Sequence, residues 1–276
     1  MNAAQPICSE HWISTPQGRL FARCWQPPSA LQSQQGAAIV LLHDSLGCVA
    51  LWRDFPARLA QHTGRTVITY DRLGFGQSDA RHDRLAWDFI AEEAEHYFPL
   101  LQNHFGLQRF LVMGHSVGGG MAVHCAARHA SACELLITES AQAFVEDRTR
   151  AGILQARAQF READALQRLA RYHGDKAAWV LDAWTETWLA PEFADWSLRS
   201  VLPQVRCPTL VLHGAEDEYG SASHPHHIAS GVSAHAALQI MPATHHVPHR
   251  EQELAVLQSI SHFIRQHQGS QTATSV

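Results

Sequence analysis

Short runs of apolar residues, each ending in a cluster of glycine, serine, aspartate or histidine, recur along this chain and alternate with stretches of helical periodicity. Residues 37–42 (AAIVLL) are apolar without a break, as expected of a strand covered on both faces. Residues 66–70, 110–113, 135–138, 207–213 and 237–241 read the same way. Between them, Leu51, Trp52, Phe55 and Leu59 recur at helical spacing, and so do the apolar residues from 85 to 105, where Pro99 predicts a kink. A last helix is expected over about 250–267. Strands alternating with helices specify a mostly parallel, doubly wound α/β sheet of about eight strands.

Two regions depart from that rhythm. Residues 10–26 alternate in polarity about a Pro16-Gln17-Gly18 turn, which predicts an N-terminal antiparallel hairpin. Residues 27–35 read as a polar surface loop. Residues 143–203 hold long helical patterns but no strand, and include Trp179, Trp184, Trp188 and Trp196. The expected organisation is a core built from 1–142 and 204–270, a helical cap insertion over 143–203, and a disordered tail at 271–276. Core packing accounts for most of those indoles, and some are expected to line a pocket.

Composition narrows the function. The 276 residues carry a net charge of -5 with both signs interspersed, and no basic stripe suits a nucleic acid. No apolar run approaches the roughly 18 residues of a membrane span. The N-terminal MNAAQPICSEHW lacks the charged and apolar regions of a secretory signal, so a cytoplasmic location is expected. The six cysteines are scattered with no C-x-x-C, as for structural thiols in a reducing compartment. Twenty histidines is a high count. The SHPHH stretch at 223–227 has no carboxylate or cysteine at ligand spacing, so no metal site is expected there.

The chemistry concentrates at residues 109–121, RFLVMGHSVGGGM: a strand, a tight Gly114-His115-Ser116-Val117-Gly118 turn, and a helix start. Glycines two residues either side of Ser116 let strand and helix cross closely, with the serine at the strained tip. A serine hydroxyl needs a base within hydrogen-bond reach, and that base needs an acid to fix its tautomer. At the carboxyl ends of later strands stand Asp217 and one of His245 or His246, in the chain order Ser, Asp, His. An oxyanion would be met by the N–H of Val117 and by a second donor after the AAIVLL strand, Ser45 or its neighbour Leu46. His43 is expected to brace that loop. Leu46, His115, Phe144, Trp184 and Trp188 are the candidate substrate-binding residues.

These motifs resemble the α/β-hydrolase fold enzymes with a helical cap, in their serine-nucleophile, esterase-like branch. The resemblance spans about 10–265 and rests on LLHDSLG, YDRLGFGQSD, GHSVGG, PTLVLHGAEDEYGS and ATHHVPHREQ. It implies Ser116 as nucleophile, Asp217 as acid and, from HVPHRE, His246 as base. Two positions depart from the pattern: His245 and Asp44 stand where relatives commonly carry glycine. A serine rather than an aspartate at the tip argues against epoxide hydrolase and dehalogenase chemistry. The resemblance implies hydrolysis of a carboxylic ester or thioester without metal or organic cofactor; the substrate is expected to be small or medium and fairly apolar, and the protein a monomer or homodimer. Cofactor-free carbon–carbon hydrolysis or dioxygenation, and ligand sensing, are the alternatives on the same fold.

Overall fold

The computed structural model describes residues 5–28 and 36–268. Most of the expected 27–35 loop and the expected tail lie outside those residues. One eight-stranded sheet runs in the order β1-β2-β4-β3-β5-β6-β7-β8. β1 (Ile7–Thr15) and β2 (Gly18–Gln26) form the hairpin, and β2 pairs antiparallel with β4 (Val67–Tyr70). From β4 onward every neighbouring pair is parallel, through β3 (Ala38–Leu42), β5 (Phe110–His115), β6 (Cys133–Glu139), β7 (Thr209–Gly214) and β8 (Ala236–Met241).

The unbroken apolar runs follow from burial on two faces. Ile39, Leu41, Leu111, Met113, Ile137, Leu210 and Leu212 pack under α1 (Phe55–Thr63) and the closing helix α10 (Glu253–Gln268). Their strand neighbours Val40, Leu42, Val112, Leu136 and Val211 turn to the other face. There they meet α2 (Phe89–Glu92), α3 (Phe98–Phe105), α4 (Val117–Arg128) and α8 (Ser223–Gly231). With a two-residue side-chain period, both layers are served by one run.

The irregularity predicted at Pro99 takes another form. Glu93–Tyr97, between α2 and α3, make a π turn in which the Phe98 N–H reaches back to Glu93 O. The wider turn falls just before the residue that cannot donate a hydrogen bond, and it directs Glu93 into the core, where Tyr70 Oη donates to it at 2.5 Å. The helix predicted from residue 51 is also split: Val49–Trp52 form a 3-10 turn, Arg53 adopts φ 53°, and α1 begins at Phe55.

Between β6 and β7 the chain forms α5 (Asp147–Gln159), α6 (Ala163–His173) and α7 (Ala177–Leu189), followed by short 3-10 turns. This helical segment is fastened to the loops at the strands' carboxyl ends. His173 Nε2 donates to Leu46 O at 3.0 Å, and its Nδ1 accepts the Gly76 N–H at 2.8 Å. Lys176 Nζ donates to Gly76 O and Ser78 O at 2.8 and 2.6 Å.

Candidate active site

Ser116 sits between β5 and α4 with φ 56° and ψ -124°, a conformation that costs a non-glycine residue about 1–3 kcal/mol. The surroundings hold it there. Its N–H donates to Glu139 O at 2.9 Å, and a Cβ at Gly114 would overlap the Gly118 carbonyl. A Cβ at Gly118 would overlap Leu42 O, so strand and helix cross at backbone contact. The N–H groups of Val117 and Gly118 open α4 and have no intrahelical acceptor, which aims the positive end of the helix beside Ser116.

The loop after β3 closes over that point. The buried His43 Nδ1 donates to Asp44 O at 2.8 Å, and its Nε2 accepts the Arg72 N–H at 3.2 Å. Burial, reinforced by the Arg72 charge, holds this imidazole well below its usual pKa, so it stays neutral and structural. Arg72 Nη2 also donates to Asp44 O, at 2.9 Å. Ser45 and Leu46 therefore face Ser116 from a loop braced by His43, Arg72 and His173.

The acid and the imidazole meet as the strand ends place them. Asp217 is buried after β7, and its Oδ1 accepts the N–H groups of Tyr219 and Gly220 at 2.8 and 3.0 Å. His246, between β8 and α9 (Pro248–Glu251), directs Nδ1 at Asp217 Oδ1 and Oδ2, 2.9 and 2.8 Å away. Burial would raise the Asp217 pKa, but the His246 hydrogen bond and charge overcome it and hold the carboxyl at about 2. Burial likewise opposes charge on His246, and the Asp217 bond outweighs it, leaving the imidazole above its ordinary value. His245 points away: it is exposed, 3.1 Å from Glu251 Oε2 and 3.5 Å from Glu216 Oε2.

Ser116 and His246 border one cavity of about 250 Å³, together with Ser45 and Leu46. Thr149, Ile153, Trp184 and Trp188 from the helical segment roof it, and Tyr219, Gln142, Val247, Asp44 and Glu218 complete the wall. The Ser116 hydroxyl donates to Gln142 Oε1 at 3.2 Å, and among the described residues no hydrogen bond joins it to His246.

Two candidate pocket residues lie elsewhere. His115 alternates to the far side of β5, where it borders a cavity of about 20 Å³ with His43, Cys48 and Trp52. Its Nε2 donates to His246 O at 2.8 Å, and burial holds its pKa down to about 4. Phe144 packs against His224, ring centroids 4.3 Å apart, rather than against the cavity.

Sequence reasoning missed Gln142 and the buried pair Glu139–His249. Glu139 Oε2 is 2.6 Å from His249 Nδ1, at hydrogen-bond separation. With His115 these two are the group of buried histidine and carboxylate side chains closest to a metal-ligand set among the described residues. Because Glu139 and His249 bond each other and His115 bonds His246, the set serves as a brace. A carboxylate just after the apolar run Leu135–Ile137 was the available signal.

With fold and geometry in view, comparisons place the chain. Residues 37–252 match the family model for the alpha/beta hydrolase fold, and the chain belongs to that family. An uncharacterized protein of Mycobacterium bovis is 32% identical over 112 residues, 41% of this chain and 31% of that protein. The match thus spans about a third of the length of that relative. The human serine hydrolase BPHL is 26% identical over 67% of this chain and 64% of its own. Proline iminopeptidase of Mycobacterium smegmatis superposes with a TM-score of 0.68 at 22% identity, covering 94% of this chain and 98% of that one. A thermophilic esterase of Thermogutta terrifontis gives 0.69 at 20% identity, covering 94% and 99%. Among the described residues no helix is long and apolar enough to cross a membrane.

Proposed function

We propose that this protein is a serine hydrolase that cleaves a carboxylic ester or thioester through an acyl-enzyme on Ser116. The observation that carries the reading is that His246, bonded to the buried Asp217, borders the same cavity as a serine held in a strained turn at a helix start. Swung by rotation about Cα–Cβ from Gln142 toward His246, the Ser116 hydroxyl attacks the acyl carbon as Nε2 of the imidazole accepts its proton. Asp217 favours the Nδ1–H tautomer and the imidazolium that forms. The N–H groups of Val117 and of Ser45 or Leu46 bind the developing oxyanion, each contributing about 2.7–4 kcal/mol in comparable sites. The imidazolium then protonates the leaving alcohol or thiol, and water, activated by the same base, releases the acid.

In this reading the segment from α5 to α7 acts as a cap, shielding the acyl-enzyme, and Leu46, Trp184 and Trp188 hold the apolar part of the substrate. The experiment is labelling with a fluorophosphonate alongside turnover of a p-nitrophenyl acyl ester panel. Stoichiometric labelling on the Ser116 peptide together with turnover, both lost in Ser116→Ala, is expected. A folded wild type showing neither would remove the reading.

A further inference from the structure

The wall of the cavity has a charge bias that acyl transfer does not require. Asp44 and Glu218 both border it, and among the described residues that do so there is no lysine or arginine. Two guanidiniums lie nearby without bonding either carboxylate, although the Asp44 charge acts on Arg72. Arg72 Nη2 donates to the backbone of Asp44 and the group lies 4.0 Å from the Phe75 ring centroid, while Arg148 Nη1 donates to Asp217 O at 3.0 Å. Among the described residues neither Asp44 nor Glu218 has a side-chain hydrogen bond or ion pair.

Asp44 is placed where its charge matters most. It belongs to the loop that presents Ser45 and Leu46, and Gly47 makes room for it: a Cβ at 47 would overlap Asp44 Oδ1. A carboxylate beside an oxyanion hole opposes the negative charge that grows there, unless something bound in the cavity is positive. The cavity also offers aromatic faces. Trp184 and Tyr219 meet edge to face with centroids 5.9 Å apart, and indole and phenol rings attract cations within about 6 Å.

We propose that the substrates are acyl compounds carrying an ammonium group, protonated or quaternary, held between Asp44 and Glu218 against these rings. The inference rests on the hydrolase reading and names its substrate class. It assigns Asp44 and Glu218 as specificity residues.

Isosteric pairs differing only in charge test it. On the acyl side, p-nitrophenyl 4-(trimethylammonio)butanoate is compared with p-nitrophenyl 5,5-dimethylhexanoate; on the alcohol side, thioesters of thiocholine are compared with those of 3,3-dimethylbutanethiol. Burial opposes charge on His246, whereas Asp217, Glu218 and Asp44 favour it. Substitutions at 44 and 218 therefore change the base for every substrate alike, and the cationic-to-neutral ratio of kcat/KM isolates the effect of substrate charge. In wild type at low salt that ratio is expected to be about tenfold or more in at least one pair and to fall in high salt. In Asp44→Asn and in Glu218→Gln it should drop severalfold.

Binding of the same compounds to Ser116→Ala provides a readout without catalysis. Tighter binding of the cationic member, with no turnover by wild type, would support the ammonium site at Asp44 and Glu218 and end the hydrolase reading. Equal kcat/KM and equal binding within both pairs, or a ratio untouched by both substitutions, overturns the inference and leaves the hydrolase reading standing.

Discussion

His115 and His246 are joined by a hydrogen bond of 2.8 Å from the Nε2 of the first to the carbonyl of the second. The residue preceding the candidate nucleophile thereby holds the loop that carries the candidate base. Glu139 adds a second tie, with its carbonyl on the Ser116 N–H and its carboxylate on His249. Burial deepens the cost of losing either tie, because the freed carbonyl or imidazole has no water to replace its partner.

His115→Leu is therefore expected to lower unfolding free energy by about 1–3 kcal/mol and to reduce kcat about tenfold or more with KM little changed. Denaturant titration and steady-state kinetics on one preparation check this. An unchanged kcat in the folded variant would show that the tie does not position the base.

The pH profile follows from the direction of one shift. In the proposed mechanism His246 is the base and must be neutral to act, and Asp217 holds its pKa above the ordinary value despite burial. Activity should accordingly rise with pH through a midpoint above about 6.5, the reference for an unperturbed imidazole. Asp217→Asn should lower that midpoint and reduce kcat by about 10⁴-fold, the magnitude seen for the aspartate of a well-studied serine protease triad. A wild-type midpoint below 6.5 would contradict the pairing.

Gln142 occupies a different position. In the proposed mechanism its bond to the Ser116 hydroxyl is given up before the proton passes to His246, and a neutral hydrogen bond contributes only about 0.5–1.5 kcal/mol net. Gln142→Ala is expected to leave kcat/KM within about tenfold of wild type. A collapse comparable to that of Ser116→Ala would make the amide part of the reacting machinery.

The close crossing at the serine turn has no slack. Gly118→Ala sets a Cβ against Leu42 O, and Gly114→Ala sets one against the Gly118 carbonyl. Neither backbone neighbour can move without shifting β3 or α4, so each variant should lose about 1–3 kcal/mol of stability or more and lose turnover. Wild-type melting and activity in both would mean that the turn is looser than its geometry implies.

Much of this architecture was legible in the sequence because two-face burial writes itself as uninterrupted apolar runs. The serine turn was legible because close backbone approach demands glycine on both sides. The choice between His245 and His246 was not, since adjacent loop residues have no periodicity to say which faces inward, and the resemblance chose the one that stands beside Asp217. His115 is a candidate pocket residue by sequence, yet strand alternation turns it to the opposite side of Ser116. Phe144, another candidate pocket residue, packs on His224 instead. Glu139 and Gln142 fell in or beside an apolar strand with no motif around them. Their partners, His249 and Ser116, are brought to them only by the fold.

The most direct test is to incubate the protein with a p-nitrophenyl acyl ester, quench in acid, and weigh it intact and as peptides. A mass increment equal to the acyl group, confined to the peptide bearing Ser116 and missing in Ser116→Ala, is the expected result. Turnover with no covalent increment, or with the increment on another residue, would contradict nucleophilic catalysis by Ser116.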